Sequence, residues 1–253
     1  MLRKTLLIAF SIFCISTGYS QRNISDTTLS SFIFHVAYSF QSPYGDLTEF
    51  YGINSTIGGG ITYKTDQNWL FATTTNFIFG DQVNNREKIL SLGTTSDGEV
   101  IDGNGTITSL TFFERGFHVQ AKTGKVFNLL APNPNSGVFV MGGIGYLQHR
   151  IRIETQFGTA PQLMGDYAKG YDKLRGGFAL TGEAGYLLMS NSRILNFSLS
   201  LEVIQAWTKN LRPYDFIEMK YYDDKLFSDT YLGVKIHWMI PTYQRAPDKY
   251  YYD

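Results

Sequence analysis

Cysteine is almost missing from this chain, and net charge is missing altogether. The single cysteine, Cys14, lies within the first twenty residues, so a mature chain starting at Gln21 has no thiol. Disulfides, cysteine–metal sites and cysteine nucleophiles are then excluded, although the compartment beyond the inner membrane would permit disulfides. The 22 basic residues equal the 22 acidic residues, which gives no electrostatic case for binding nucleic acid.

Long apolar runs are also missing after residue 20. The first twenty residues have a basic start at Arg3 and Lys4, an apolar stretch from Leu6 to Ile15, and small residues before Gln21. This layout predicts a secretory signal peptide over 1–20, because its apolar part is too short to span a bilayer. Beyond it, no stretch approaches the roughly 20 apolar residues that a transmembrane helix requires.

The residues that are abundant favour a β-structure that faces lipid. The chain has 17 Tyr, 19 Phe and 25 Gly, and only 17% of its residues are charged. Such a composition is typical of transmembrane β-barrels rather than of average soluble domains. If the mature chain is in a membrane, it must cross it as a closed barrel.

Alternation with a period of two recurs along the chain and predicts β-strands. The clearest segment alternates Leu199, Leu201 and Val203 with Ser200 and Glu202. The Gly58–Gly60 run in the second segment would ease tight curvature. The predicted strands are 32–40, 53–63, 69–79, 113–121, 138–153, 174–188, 195–207 and 231–240. The fifth is the least regular, because its first half is apolar on both sides.

Apart from the second turn, which contains Pro132 and Pro134, the lengths of the connections alternate as they do in membrane barrels, which have short periplasmic turns and long external loops. With the N-terminus in the periplasm, the turns are 64–68, 123–137 and 189–193, and the loops are 41–50, 80–108, 154–173 and 209–228. The sequence therefore predicts an all-β fold, an antiparallel up-and-down transmembrane barrel of about eight strands. It occupies one domain, 21–253, ending in a short periplasmic tail, and lies in the outer membrane of a Gram-negative cell.

A soluble β-sandwich or lipocalin-like barrel would alternate too. Such a protein is apolar inside, whereas here the polar face carries charges deep within strands, such as Glu183, Glu202 and Lys235. This polarity favours the membrane barrel.

An eight-stranded barrel has an interior that side chains fill, so the predicted inward face is a candidate lumenal polar network. Its members are His35, Glu114, His118, Arg150, Arg152, Arg175, Glu183, Glu202, Lys235 and His237. Buried charges should pair across the lumen and close it, which disfavours a general diffusion pore. Trp69, Trp207 and Trp238 are predicted to anchor the barrel at the membrane interfaces.

No motif identifies chemistry. The inward histidines and glutamates lack the fixed spacing of a metal site, so we expect neither metal nor cofactor. Gly142–Gly145 has no following helix and is not a phosphate loop, and the acidic, glycine-rich 97–105 segment lacks the terminal glutamate of a calcium loop. One class of small barrel acts on lipid A with a Ser/His pair; His118 or His149 would be candidates, but no motif links them to a serine.

Three segments carry a resemblance to a known kind of protein. These are the Ser20–Gln21 cleavage region, the run GIGYLQHRIRIE at 143–154, and GDYAKGYD at 165–172. They resemble a family of small outer-membrane barrels in Bacteroidota-type bacteria, over most of the mature chain. Barrels of this kind include accessory subunits of type IX secretion and barrel-assembly machines, and the resemblance implies no catalytic residues.

The leading hypothesis is therefore a non-enzymatic accessory or scaffold barrel. We expect it to contact outer-membrane lipid, lipopolysaccharide, and other outer-membrane or periplasmic proteins. The alternatives are a narrow transport or ligand-binding barrel and, third, a lipid A-modifying enzyme.

Overall fold

The computed structural model describes residues 27–90, 94–95, 99–190, 194–216, 219–221 and 224–242. The predicted signal peptide, Cys14, the Ser20/Gln21 cleavage site and the tail beyond Thr242 lie outside these residues, as do Asp97 and Gly98. The last strand of the sequence prediction ends at residue 240, whereas the strand in the structure continues to Pro241.

Eight antiparallel strands close into a barrel. They are β1 (Ser31–Gly45), β2 (Asn54–Lys64), β3 (Trp69–Gly80), β4 (Leu110–Phe127), β5 (Gly137–Thr155), β6 (Arg175–Leu188), β7 (Phe197–Asn210) and β8 (Phe227–Pro241). Each strand pairs with its neighbours in sequence, and β1 pairs with β8 to complete the ring. The predicted all-β, eight-stranded, up-and-down barrel is confirmed.

The register fixes the shape of the barrel. Following paired residues once around the ring, from Val140 on β5 through β6, β7, β8, β1, β2, β3 and β4, leads back to β5 at Arg150. The ring therefore closes with a stagger of ten residues. With about 3.3 Å per residue and about 4.8 Å between strands, this stagger gives a strand tilt of about 40° and a backbone radius of about 8 Å. Such an interior holds side chains and little else.

The exterior is apolar around the ring. Along β1, the even-numbered residues from Phe32 to Phe40 are exposed, while the odd-numbered residues from Ile33 to Gln41 are buried. Large apolar side chains are exposed on all eight strands. A soluble barrel would have the opposite polarity, so that alternative is wrong: this exterior is solvated by hydrocarbon. Among the described helices, none has the length and apolar character needed to cross a membrane.

The two ends of the barrel differ in their connections. At the turn end, strands are joined by 65–68, 128–136 and 189–196; at the loop end, the connections are L1 (46–53), L2 (81–109), L3 (156–174) and L4 (211–226). The first turn closes tightly because Asn68 adopts a left-handed φ of 64° and the Trp69 N–H donates to Thr65 Oγ1 at 3.0 Å.

The loops contain short elements of their own. L1 has the 3-10 turn Asp46–Glu49, and L2 has the helix Arg86–Leu90 and a ribbon of Val100–Ile101 with Ile107–Thr108. L3 has the 3-10 turns Pro161–Leu163 and Tyr167–Gly170, and L4 has a ribbon of Tyr214–Asp215 with Lys220–Tyr221. The loop end is thus folded above the barrel.

Most strand ends that depart from prediction lie at the loop end, but the largest departure is at the turn end of β4, which continues to Phe127 rather than ending at 121. β1 continues to Gly45 and β8 begins at Phe227, several residues beyond the predicted limits of 40 and 231. These strands extend beyond the membrane-embedded apolar band. Their backbone pairing continues there, but the alternation of apolar and polar residues that predicts a strand does not. In β2, the predicted curvature run has a steric reason: a Cβ on Gly60 would lie 2.1 Å from the carbonyl oxygen of Thr73.

Candidate functional site

The middle of the lumen holds a buried ion-pair cluster from four strands. Lys122 of β4 pairs with Glu183 of β6 and lies 3.7 Å from Glu202 of β7. Lys235 of β8 pairs with the same Glu202 oxygen at 3.0 Å. All four side chains are at most 2% exposed. Because β4 is not adjacent to β6 or β7, the two contacts of Lys122 cross the lumen and obstruct it.

Uncharged partners complete this central cluster. Gln120 Nε2 donates to Glu202 at 3.2 Å, and Ser200 Oγ donates to Glu183 at 2.7 Å. His237 Nδ1 lies 2.9 Å from Ser198 Oγ, and its ring packs edge-on against His35 with centroids 5.1 Å apart. Charges removed from water are tolerated only with such additional hydrogen bonds.

A second polar cluster lies towards the loop end. Glu114 accepts hydrogen bonds from Tyr231 Oη at 2.6 Å and Asn54 Nδ2 at 2.9 Å. His149 Nε2 lies 2.9 Å from Asp229, and its Nδ1 lies 3.3 Å from the hydroxyl of Tyr51 in L1. Burial raises the pKa of Tyr51 well above its usual value, so this hydroxyl stays neutral.

Apolar side chains seal both ends of the lumen. At the turn end, Leu29, Ile33, Phe139 and Met239 belong to one buried cluster. A cavity of about 40 Å³ lies between this cluster and His35, Lys122 and Glu183, with room for about three waters. At the loop end, loop residues such as Leu47, Ile89 and Leu163 pack with the strand residues Leu147 and Ile151 in a larger cluster.

Two ion pairs hold the loops over this larger cluster. Lys173 of L3 pairs with Asp215 of L4, and Arg212 of L4 pairs with Asp172 of L3. Hydrogen bonding to Asp172 raises the pKa of Arg212. The loop end therefore acts as a lid, and together with the central cluster it closes the lumen.

Several buried polar atoms have no protein partner in the described part of the chain. They include both ring nitrogens of His118, Thr74 Oγ1, Asn76 Oδ1 and Thr181 Oγ1. Buried polar groups of this kind bind ordered water. We therefore expect a few fixed waters in the lumen between the ion pairs.

Most predicted network residues face inward. His35, Glu114, His118, Arg175, Glu183, Glu202, Lys235 and His237 are buried on the inner face. Arg175 lies 3.6 Å from the ring centroid of Phe227 rather than against a carboxylate.

Arg150 and Arg152 were predicted on the wrong face: both point outward, and His149 and Ile151 point in. The physical reason is that β5 continues above β6, whose pairing ends at His149 opposite Arg175. At that height the outer surface of the barrel contacts water and headgroups, and the interior is filled by apolar loop residues. Polar side chains of β5 therefore point outward there and apolar side chains point inward, the reverse of the pattern within the membrane.

The predicted network omits several inward residues of these clusters, among them Lys122, His149, Asp229 and Tyr231. The strand limits explain two of these omissions, because Lys122 lies one residue beyond the predicted strand 113–121 and Asp229 two residues before the predicted strand 231–240. Tyr231 lies inside its predicted strand, on the face of Gly233 and Lys235. His149 was missed through the reversed face of β5.

The chemical motifs resolve into structural roles. Gly142–Gly145 lies inside β5. Asp102 caps the L2 ribbon, where its carboxylate accepts from the N–H groups of Asn104 and Thr106, both at 2.8 Å. These hydrogen bonds lower the pKa of Asp102. Within the described residues, no group of three or more potential metal ligands occurs.

The histidines considered for Ser/His chemistry are enclosed. His149 contacts Asp229 and Tyr51, and both it and His118 are 1% exposed. A catalytic pair acting on lipid A would have to face the membrane, and these rings face the lumen.

The three tryptophans all point outward near the edges of the apolar band. Trp69 and Trp238 lie close to the turn end, where Lys125 sits 5.3 Å over the Trp69 ring and Trp238 Nε1 donates to the Ile194 carbonyl at 2.7 Å. Trp207 lies towards the loop end, stacked on Phe178 with centroids 6.4 Å apart. Aromatic residues at both edges of an apolar belt are typical of bacterial outer-membrane barrels.

The protein is an integral outer-membrane β-barrel.

No protein-family model matches the chain, and no curated protein matches its sequence. Among solved structures, Ail, the attachment invasion locus protein of Yersinia pestis, crystallised with the heparin analogue sucrose octasulfate, is 10% identical with a TM-score of 0.42, covering 83% of this chain and 99% of Ail. Neisserial surface protein A is 10% identical with a TM-score of 0.39, covering 82% and 96%. OprG from Pseudomonas aeruginosa is 10% identical with a TM-score of 0.33, covering 86% and 99%. The barrel assignment itself rests on the strand pairing of this chain.

Proposed function

We propose that the protein is a non-enzymatic accessory or scaffold barrel that docks on other proteins of a Bacteroidota-type outer membrane. Candidate settings are type IX secretion and barrel-assembly machines, which the sequence resemblance suggests. The observation that carries the proposal is the loop end, a folded platform that exposes apolar side chains.

The platform is held together by contacts between loops. Gly103 N–H of L2 donates to the Thr159 carbonyl of L3 at 2.7 Å, and Gln162 Nε2 of L3 donates to the Ile101 carbonyl at 2.9 Å. Phe216 N–H of L4 donates to the Gly170 carbonyl of L3 at 3.1 Å. Loops fixed in this way lose little conformational entropy when a partner binds.

Apolar side chains project from this platform into water. Ile101 and Ile107 face each other across the L2 ribbon and are both exposed, and Phe157 of L3 and Tyr221 of L4 are each 77% exposed. Exposed aromatic and aliphatic groups on a rigid surface are the usual anchors of protein interfaces. A closed lumen supports docking over transport, since conduction would require the central ion pairs to separate.

The proposal is tested by purifying the tagged protein from detergent-solubilised membranes. We expect a partner at a constant molar ratio, and we expect Ile107→Asp with Phe157→Ser to reduce its recovery at least tenfold. Leu130→Asp is the matched control, because Leu130 is 93% exposed at the opposite, turn end. Recovery of a lone barrel, or equal loss with both variants, would contradict docking through the loops. Single-channel conductance in planar bilayers would favour transport instead.

A further inference from the structure

Two arginines stand directly opposite each other on the outer surface of the barrel. Arg115 of β4 is paired in register with Arg150 of β5, and both side chains point outward. Arg152 follows on the same face of β5. Like charges directly opposite on neighbouring strands destabilise a sheet, and an anion bound between these two guanidinium groups would relieve their repulsion.

The protein itself supplies little neutralisation. Arg152 Nε pairs with Glu154 at 2.6 Å. Arg115 lies 4.5 Å over the Phe113 ring, and its Nη1 donates to the carbonyl groups of Glu114 at 2.8 Å and Gly80 at 3.4 Å. Among the described residues, no carboxylate lies within 4 Å of Arg115 or Arg150. The remaining donors of Arg115 and those of Arg150 are therefore open to an outside acceptor.

The opposed pair lies at the outer edge of the apolar band. With the tilt and spacings that follow from the register, Arg115 is about 22 Å and Arg150 about 25 Å above Val140 along the barrel axis. Trp207 lies at nearly the same height as Arg115, about 21 Å. Since long loops are external in such barrels, this is the headgroup level of the outer leaflet.

A groove on the outer surface begins beside Arg115. It has a volume of about 370 Å³, and Phe40, Ile53, Phe79 and Phe113 contribute apolar walls. Asp81 and Gln82 also line it, so one carboxylate shares the groove with the arginine. The combination of apolar walls with guanidinium groups suits an amphipathic ligand whose chain lies against the aromatic side chains and whose anionic group meets the arginines.

We propose that Arg115 and Arg150, with Arg152, bind the phosphate of a phosphorylated glycolipid headgroup in the outer leaflet. Phosphate fits because guanidinium groups bind its oxygens in two-pronged, charge-assisted hydrogen bonds, and one phosphate between two arginines removes their repulsion. The site depends on the membrane orientation of the barrel and is independent of docking through the loops, so either proposal can fail without the other.

The test uses the full protein reconstituted in phosphatidylcholine nanodiscs and titrated with bis-phosphorylated lipid A. We expect the double variant Arg115→Gln with Arg150→Gln to bind lipid A about 25-fold more weakly than wild type. Each positive charge removed at a membrane surface weakens binding about fivefold, and the two effects multiply. Lys125→Gln is the matched control: it removes an outward charge at the turn end, beside Trp69, and should leave binding unchanged. Lipid A stripped of its phosphates should bind wild type and double variant alike.

Other results would overturn the proposal. Equal lipid A binding by wild type and the double variant would do so, as would an equal loss with Lys125→Gln. Displacement of lipid A by an equal concentration of inorganic phosphate would identify a free anion as the ligand instead. If the glutamine variant fails to fold, the double variant Arg115→Lys with Arg150→Lys replaces it in the test. Lysine keeps the positive charge but not the two-pronged hydrogen bonding, so this variant should bind lipid A more weakly than wild type but still measurably.

Discussion

Replacing Glu202 by glutamine should destabilise the barrel strongly, because this carboxylate neutralises two buried ammonium groups. Glu202 lies 3.0 Å from Lys235 and 3.7 Å from Lys122. Lys122 keeps Glu183 as a partner after the change, whereas Lys235 loses its ion pair. Breaking one buried pair costs about 3 to 5 kcal/mol, and we take about 3 because lumenal water can solvate part of the charge.

The assay is urea unfolding of the protein in phosphatidylcholine vesicles, followed by tryptophan fluorescence. With a slope of about 2 kcal/mol per molar urea, Glu202→Gln should lower the midpoint by about 1.5 M. Glu87→Gln, on an exposed loop helix, is the control and should leave the midpoint unchanged.

A second variant separates loss of the pair from loss of packing. Glu202→Met with Lys235→Met removes both charges, and it should be more stable than Glu202→Gln, since no unpaired charge remains. A midpoint for Glu202→Gln within 0.3 M of wild type, roughly the error of such fits, would refute the reasoning. So would a double variant as unstable as the sum of its single changes.

Three other outcomes follow from the exterior and the loops. Val203→Arg places a charge near the middle of the apolar band and should lower the unfolding free energy measured in urea titrations by about 2 to 4 kcal/mol. Arg150→Leu, at the headgroup level, should change this free energy by less than about 0.5 kcal/mol. Equal effects of the two variants would contradict the assigned orientation. Brominated acyl chains should quench the fluorescence of Trp69, Trp207 and Trp238, and single-tryptophan variants that escape quenching would show that the ring does not face lipid. Arg212→Leu leaves the carboxylate of Asp172 without its ion-pair partner, so trypsin should cleave at Lys169 faster than in wild type; an unchanged rate would mean that this pair does not hold L3.

The sequence was sufficient for the barrel because one physical rule acts along most of each strand. Hydrocarbon outside and polar side chains inside impose a period of two, and β7 shows it from Phe197 to Val203 without interruption. The rule depends on the bilayer, so it loses force where strands leave it. That is why the predicted β1 ends too early, why the predicted β8 begins too late, and why the pattern assigns Arg150 and Arg152 to the lumen.

The site was less accessible from the sequence, for a different reason. Alternation indicates which face a residue occupies, but the partners of a lumenal charge depend on register and on the stagger of the whole ring. Lys122 and Glu183 come from strands that are not adjacent, so no local pattern links them. The contacts among L2, L3 and L4 likewise depend on long-range packing, and the sequence of L2 carries no period that predicts them.

The placement of the ion pairs bears on where function resides. Lys122, Glu183, Glu202 and Lys235 belong to four different strands. The Lys235–Glu202 pair joins the neighbouring strands β8 and β7, whereas the contacts of Lys122 with Glu183 and Glu202 cross the lumen. Opening a path would unpair at least one buried charge, at the same cost of about 3 kcal/mol or more that the Glu202 variant should incur. A solute passing through would have to supply that free energy at every crossing. Recognition at the loops and at the outer surface requires no such change, so the structure favours function on the outside of a barrel whose interior serves its stability.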